Sequence, residues 1–141
     1  MILLAELLGE HLELEKLGAR LLDVVNVRVP DAAKVAALRW ELCRAFVDHW
    51  GREDQLIYDR LLASGDAEAV AAAWEFRREF GALREEMRLY VTEWPVDRIA
   101  REWEAFRDHT FALRDRIDAR RAQEESVLYT HARRVIGRRA A

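Results

Sequence analysis

The sequence predicts an all-α fold, an antiparallel up-down-up-down four-helix bundle, on three observations. Apolar residues recur at helical spacing over four long stretches. The connections between those stretches are short and hold the turn signals. The composition is 51% hydrophobic, with only six Gly and two Pro in 141 residues, so helix breakers are scarce. That length suits one domain spanning 1–141 and is enough to bury a core.

The first stretch, about 2 to 25, puts Leu4, Leu7, Leu8, Leu14, Leu21, Leu22 and Val25 on one stripe. His11 falls on that stripe where Leu would fit. Val27 to Pro30 reads as a connection, and Asp31 as the N-cap of a second helix over about 32 to 63. The second stripe runs Val35, Leu38, Leu42, Phe46, His49, Glu53, Leu56. Gly51 inside this helix costs about 1 kcal/mol relative to Ala, so tertiary contacts must hold the turn. Ser64-Gly65-Asp66 reads as a stop followed by a cap. The third helix, about 67 to 93, has a wholly apolar stripe: Val70, Ala73, Phe76, Phe80, Leu83, Met87, then Tyr90 or Val91. Trp94-Pro95 ends it, because the residue before proline avoids helical geometry. The fourth helix starts between Pro95 and Asp97 and runs to about 136. Its stripe is Ile99, Trp103, Phe106, His109, Leu113, Ile117, Arg120, Glu124, Val127, with His131 one step beyond. A basic tail from about 133, with Arg133, Arg134, Arg138 and Arg139, is expected to fray.

The formal charge of -3 mixes both signs, which gives no reason to expect nucleic acid as a partner. No apolar run approaches the roughly 20 residues of a membrane span. The start, Met1 to Glu6, lacks a basic region and does not read as a signal peptide. A soluble cytoplasmic protein with no membrane partner is the expectation. The single Cys43 excludes an intramolecular disulfide and a Cys-based zinc site, and reads as a small core residue. The tryptophans (Trp40, Trp50, Trp74, Trp94, Trp103) read as core and boundary packing. Any exposed among them offer a face for a homodimer or a protein partner.

His49 and Glu53 lie four residues apart, so a helix aims both at one point, as two ligands to one metal would be. The frame returns later: Glu124 matches Glu53, Glu125 matches Asp54 and Tyr129 matches Tyr58, with Arg120 where His49 stood. The halves thus read as an internal duplication. A buried ionisable group is unfavourable unless paired or bound to metal. His11, His49, Glu53, Arg120 and Glu124 all fall on inner stripes of three helices, which points to a buried polar site. The outer acids, Asp54 and Glu125, are expected in surface ion pairs of little energetic weight. His109 lies about 16 Å along the axis from Arg120 and reads as a core or boundary residue. His131 reads as an end-of-bundle residue.

On Glu10-His11, on His49-xxx-Glu53 with Asp54…Ile57-Tyr58, and on Glu124-Glu125…Leu128-Tyr129, the chain resembles the hemerythrin-like (HHE) cation-binding family over nearly its whole length. The resemblance implies a four-helix bundle around a non-haem di-iron centre of five His and two bridging carboxylates, which binds O2 or senses or buffers oxygen, nitric oxide or iron. His11 and His49 match ligands of one iron. Glu53 and Glu124 match the bridging carboxylates, with Glu125 as the alternative to Glu124. Phe76, Phe80 and Arg120 stand where the other iron would take its His.

The resemblance therefore implies a reduced site, with two outcomes. In one, a single iron, manganese or zinc sits on His11, His49 and one or both of Glu53 and Glu124. In the other there is no metal: Arg120 lies between the carboxylates, Phe76 and Phe80 fill the volume, and the bundle is an interaction or regulatory module. An oxygen-using or hydrolytic metalloenzyme ranks third, because no residue identifies a substrate, nucleophile or proton donor.

Overall fold

The computed structural model describes the backbone of residues 2–140 and the side chains of residues 3–136. It is all-helical over that span, with no strand among the described residues. The expected stretches appear as four rods. The first is α1 (Ile2–Val25). The second joins α2 (Ala32–Glu53), a π-helical turn (Asp54–Tyr58) and α3 (Asp59–Leu62). The third is α4 (Ala67–Glu93). The fourth joins α5 (Val96–Arg101), α6 (Trp103–Gln123), a second π-helical turn (Glu124–Leu128) and α7 (Tyr129–Ala140).

The boundaries follow from local chemistry. The Asp31 carboxylate accepts from the Lys34 N–H at 3.1 Å and that of Asp66 from the Ala69 N–H at 2.9 Å, so each satisfies a donor left over at a helix start. Gly65, at φ 75, makes the left-handed turn between the second and third rods. Arg134 forks onto Asp66 from the fourth rod, tying down the start of the basic tail. The helix continues through Ala140; the side chains of Arg138 and Arg139, expected in a frayed tail, lie outside those described. Around Gly51, Trp50 packs on Phe46 and Phe80, and Arg52 pairs with Glu6 and Glu10.

Two expectations need correction. The fourth helix is broken at Glu102, whose φ of -123 and ψ of 49 leave helical space. The break turns the Trp103 indole onto the Val27 carbonyl at 3.1 Å. The second correction is the pair of π turns. Asp59 N–H donates to Asp54 C=O, and Tyr129 N–H to Glu124 C=O, five residues back in each case. A π turn takes up extra chain relative to an α turn, so the inward stripe slips beyond it. Val127, placed on the stripe, is 43% exposed, and Leu56 is only half-buried. The core positions are instead Ile57, Tyr58 and Leu61, and Leu128, Tyr129 and Ala132.

Two apolar clusters share the interior, and each rod contributes to both. One gathers Leu21, Val25, Val35, Leu38, Tyr90, Trp94, Ile99 and Phe106. The other gathers Leu4, Leu7, Ile57, Leu61, Ala69, Ala73, Leu128 and Ile136. A fully buried Leu or Ile here contributes roughly 1.5–3 kcal/mol. Along the first, second and fourth rods, His11, His49, Glu53, Arg120 and Glu124 fall in sequence between the two clusters, whereas buried Arg39 lies within the first. Trp94 and Trp103 are buried and Trp50 is half-buried, whereas Trp40 and Trp74 are 69% and 59% exposed. Among the described residues, no helix is long and apolar enough to cross a membrane.

Candidate metal centre

The layer between the clusters is built from residues that break the apolar stripes. His11 comes from the middle of α1, His49 and Glu53 from adjacent turns at the end of α2, and Glu124 from the start of the second π turn. All four are buried, and one donor atom from each lies within 4.8 Å of the others. His49 Nε2 is 3.0 Å from His11 Nε2 and 3.0 Å from Glu53 Oε2. His11 Nε2 is 3.6 Å from Glu53 Oε2 and 3.8 Å from Glu124 Oε2.

Each imidazole is held from behind by an acid. His49 Nδ1 donates to Glu10 Oε1 at 2.8 Å, and His11 Nδ1 to Glu125 Oε1 at 2.8 Å. An ionised carboxylate only accepts, so these contacts assign the Nδ1 hydrogens and leave both Nε2 atoms facing inward. Two inward lone pairs at 3.0 Å, beside a carboxylate, call for a proton or a cation among them. Tyr129 Oη donates to Glu53 Oε2 at 2.7 Å. Glu53 Oε1 and Glu124 Oε1 are buried with no hydrogen-bond partner among the described residues.

Glu125 is thus not in the surface ion pair expected of it, nor does it replace Glu124. Glu10, read only as part of a motif, also belongs to the site. Consecutive helical residues point about 100° apart. Glu10 therefore reaches across to His49 rather than to its neighbour His11, and Glu125 reaches across to His11. The available signal was an acid beside an inward donor on two rods. Asp54 behaves as expected, pairing with Arg84 at 3.1 Å and Arg77 at 3.6 Å.

The charges are unequally held. Burial opposes ionisation of Glu53, but the adjoining His11 and His49 imidazoles and the hydrogen bond from Tyr129 outweigh it and hold the carboxyl well below its usual range. Burial, and then the Glu53 charge, push Glu124 well above that range. Burial disfavours the charged form of His49, yet Glu53 and Glu10 outweigh it and raise its pKa. One carboxylate with one carboxylic acid is the expected result for two acids sharing an enclosed space.

Phe76 and Phe80 are buried on the third rod facing this layer. Arg120 does not lie between the two carboxylates, where the metal-free outcome places it. Its Nε stands 3.6 Å from Glu124 Oε1, while Nη1 donates to Glu79 Oε2 at 2.6 Å and Nη2 donates to the Phe76 carbonyl. Two acceptors on α4 draw the side chain away from Glu53, and its guanidinium stacks 4.3 Å over the Phe76 ring. His49, His11 and Glu124, with Trp50, Phe80 and Arg120, help line a cavity of about 30 Å³. That is room for one water-sized species. The donor set, with its orphaned oxygens, is one that could hold a metal ion. The remaining histidines are elsewhere: His109 accepts from Trp94 Nε1 at 2.8 Å, and His131 accepts from Arg134 Nη2 at 3.2 Å.

The family model of the hemerythrin HHE cation binding domain matches residues 3–132, a span that includes every residue of this layer. No curated protein and no solved structure matches the chain.

Proposed function

The chain belongs to the hemerythrin HHE cation-binding domain family, and from that premise we propose that it holds one divalent cation on His11, His49, Glu53 and Glu124 for binding or sensing rather than turnover. The observation that carries this reading is the enclosed set of four donors within 4.8 Å, including two buried carboxylates that each have an oxygen without a hydrogen-bond partner. Two imidazoles with carboxylates suit Fe(II), Mn(II) or Zn(II). Such an ion, when bound, supplies a positive centre able to take a small external ligand. The chain's own residues do the rest. Glu10 and Glu125 orient the imidazoles, Tyr129 steadies Glu53, and Trp50 and Phe80 limit water.

The rival reading is the metal-free bundle with Arg120 as the replacement cation. Its support is the 3.6 Å approach of Arg120 to Glu124. Against it, Arg120 already has Glu79 and does not reach Glu53. We also read residues 1–141 as one cytoplasmic domain whose rods run up, down, up and down. The alternating order in which the rods enter the two clusters supports that course.

Elemental analysis of protein grown in metal-replete medium tests the proposal. About one iron, manganese or zinc per chain is expected, with loss on His49→Ala. Less than roughly a tenth of a metal per chain would sink it, because such ligand sets bind tightly. Two irons would mean that ligands beyond these four take part.

A further inference from the structure

A second cavity, of about 300 Å³, lies between α1, α2, α4 and α6 on the side of the metal centre toward Tyr90. That volume is at the lower end for small-molecule sites. Its walls are mainly apolar, with Leu21, Phe46, Met87 and Leu113 among them, and Arg39 also lines it. Arg39 is only 8% exposed. Its Nη1 donates to the Trp94 carbonyl at 2.8 Å, and its guanidinium stands 5.7 Å from the centre of the Tyr90 ring. Its charge is also felt by the Tyr90 hydroxyl, and among the described residues it has no carboxylate within 4 Å.

That isolation is unusual for a buried charge. An enclosed guanidinium is unfavourable without an anion. The Trp94 carbonyl, at the negative end of α4, offsets part of the charge. Nearby side chains do not supply the rest. Burial pushes the Cys43 thiol up and the Tyr90 phenol up to about 12, so both stay neutral at neutral pH. Arg120, also buried, has Glu79 and Glu124. The charged residues around the cavity are matched among themselves: Arg121 pairs with Glu15 and Asp118, and Arg114 with Asp118. Arg39 is left as the unmatched charge in the wall.

We propose that this cavity binds a small apolar monocarboxylate, with the carboxylate on Arg39 and the hydrocarbon body among Phe46, Met87 and Leu113. Guanidinium and carboxylate match as a charge-assisted pair, and the apolar walls favour a body without further polar groups. At roughly 30 Å³ per non-hydrogen atom, the share of a water, the space takes about ten such atoms. The inference does not rest on a metal at His11 and His49, although Phe46 and Leu14 line both cavities.

Calorimetric titration of the purified full-length chain with octanoate, octanol and octylammonium tests it. Octanoate is expected to saturate at one per chain, at least about tenfold tighter than octanol, with octylammonium silent; a tenfold preference corresponds to about 1.4 kcal/mol. Arg39→Met should bring octanoate to within about threefold of octanol. Gly18 lines the cavity where an added Cβ would meet nothing within 4 Å. Gly18→Leu should therefore fold and weaken both ligands at least about tenfold, which keeps the test decisive if Arg39→Met does not fold. His49→Ala should leave octanoate binding unchanged. No saturable octanoate binding, equal binding of octanol, a preference that survives Arg39→Met, undiminished binding in Gly18→Leu, or loss on His49→Ala (which would move the ligand to the metal centre) each overturns the proposal.

Discussion

Arg120→Met separates a guanidinium that braces the third rod from one that replaces a cation. Methionine keeps apolar bulk over Phe76 and removes three polar contacts. The contact with Glu79 contributes little, about 0–1 kcal/mol, because that acid is 48% exposed and recovers water. The charged hydrogen bond to the Phe76 carbonyl contributes about 1.5–3 kcal/mol. The contact with Glu124 is the deciding one. Burial and Glu53 already favour its neutral acid form, so removing a cation 3.6 Å away strands no full charge. The expected loss is therefore about 1.5–4 kcal/mol, mostly below the roughly 3–5 kcal/mol that breaking a true buried ion pair costs. Urea denaturation followed by circular dichroism, without metal and with Zn(II), reads this directly. Metal at a hundredfold excess over its Kd should stabilise both proteins by about 2.7 kcal/mol, and the variant somewhat more because a repelling charge is gone. A loss above 4 kcal/mol that metal leaves unchanged would refute the reasoning and make Arg120 the replacement cation.

Glu10→Gln and Glu125→Gln keep shape but weaken the grip on the imidazoles. Each should lower metal affinity about 10–100-fold in a chelator competition, and unchanged affinity would remove both from the site. Tyr129→Phe keeps the ring but leaves Glu53 Oε2 without its 2.7 Å donor; a stability loss of about 1–3 kcal/mol is expected from thermal melts, and none would show that another donor takes over. Asp31→Ala should cost about 1 kcal/mol by removing the cap on α2, whereas Asp31→Asn should restore most of it; equal melts for all three would deny the cap a role.

Much of this architecture is legible in the chain. Asp31 and Asp66 mark helix starts because a short acid before an apolar stripe has a backbone donor to satisfy. His11, His49, Glu53 and Glu124 stand out because each occupies a slot where the stripe calls for an apolar residue. The π turns do not show, since a reading by a period of 3.6 assigns Leu56 and Val127 inward and has no term for a wider turn. Only the repeat of an acid followed by Ile57-Tyr58 and by Leu128-Tyr129 marks the slip. The break at Glu102 has no proline or glycine to announce it. The reach of Glu10 and Glu125, and the turn of Arg120 toward Glu79, depend on how the rods face each other, which spacing along one helix does not contain.

A cation can reach a carboxylate as enclosed as Glu53 only if something opens. Beside the donors, in the second and fourth rods, the backbone leaves α-helical pairing at the two π turns. Opening one such turn would carry Glu53 or Glu124 outward only by also lifting Ile57 or Leu128 from the second apolar cluster. Amide hydrogens at Asp54–Tyr58 and Glu124–Leu128 should exchange with solvent sooner than those in α2 and α6, and should slow when a cation is bound. Rates that are uniform along both rods would mean that the ion enters by another route.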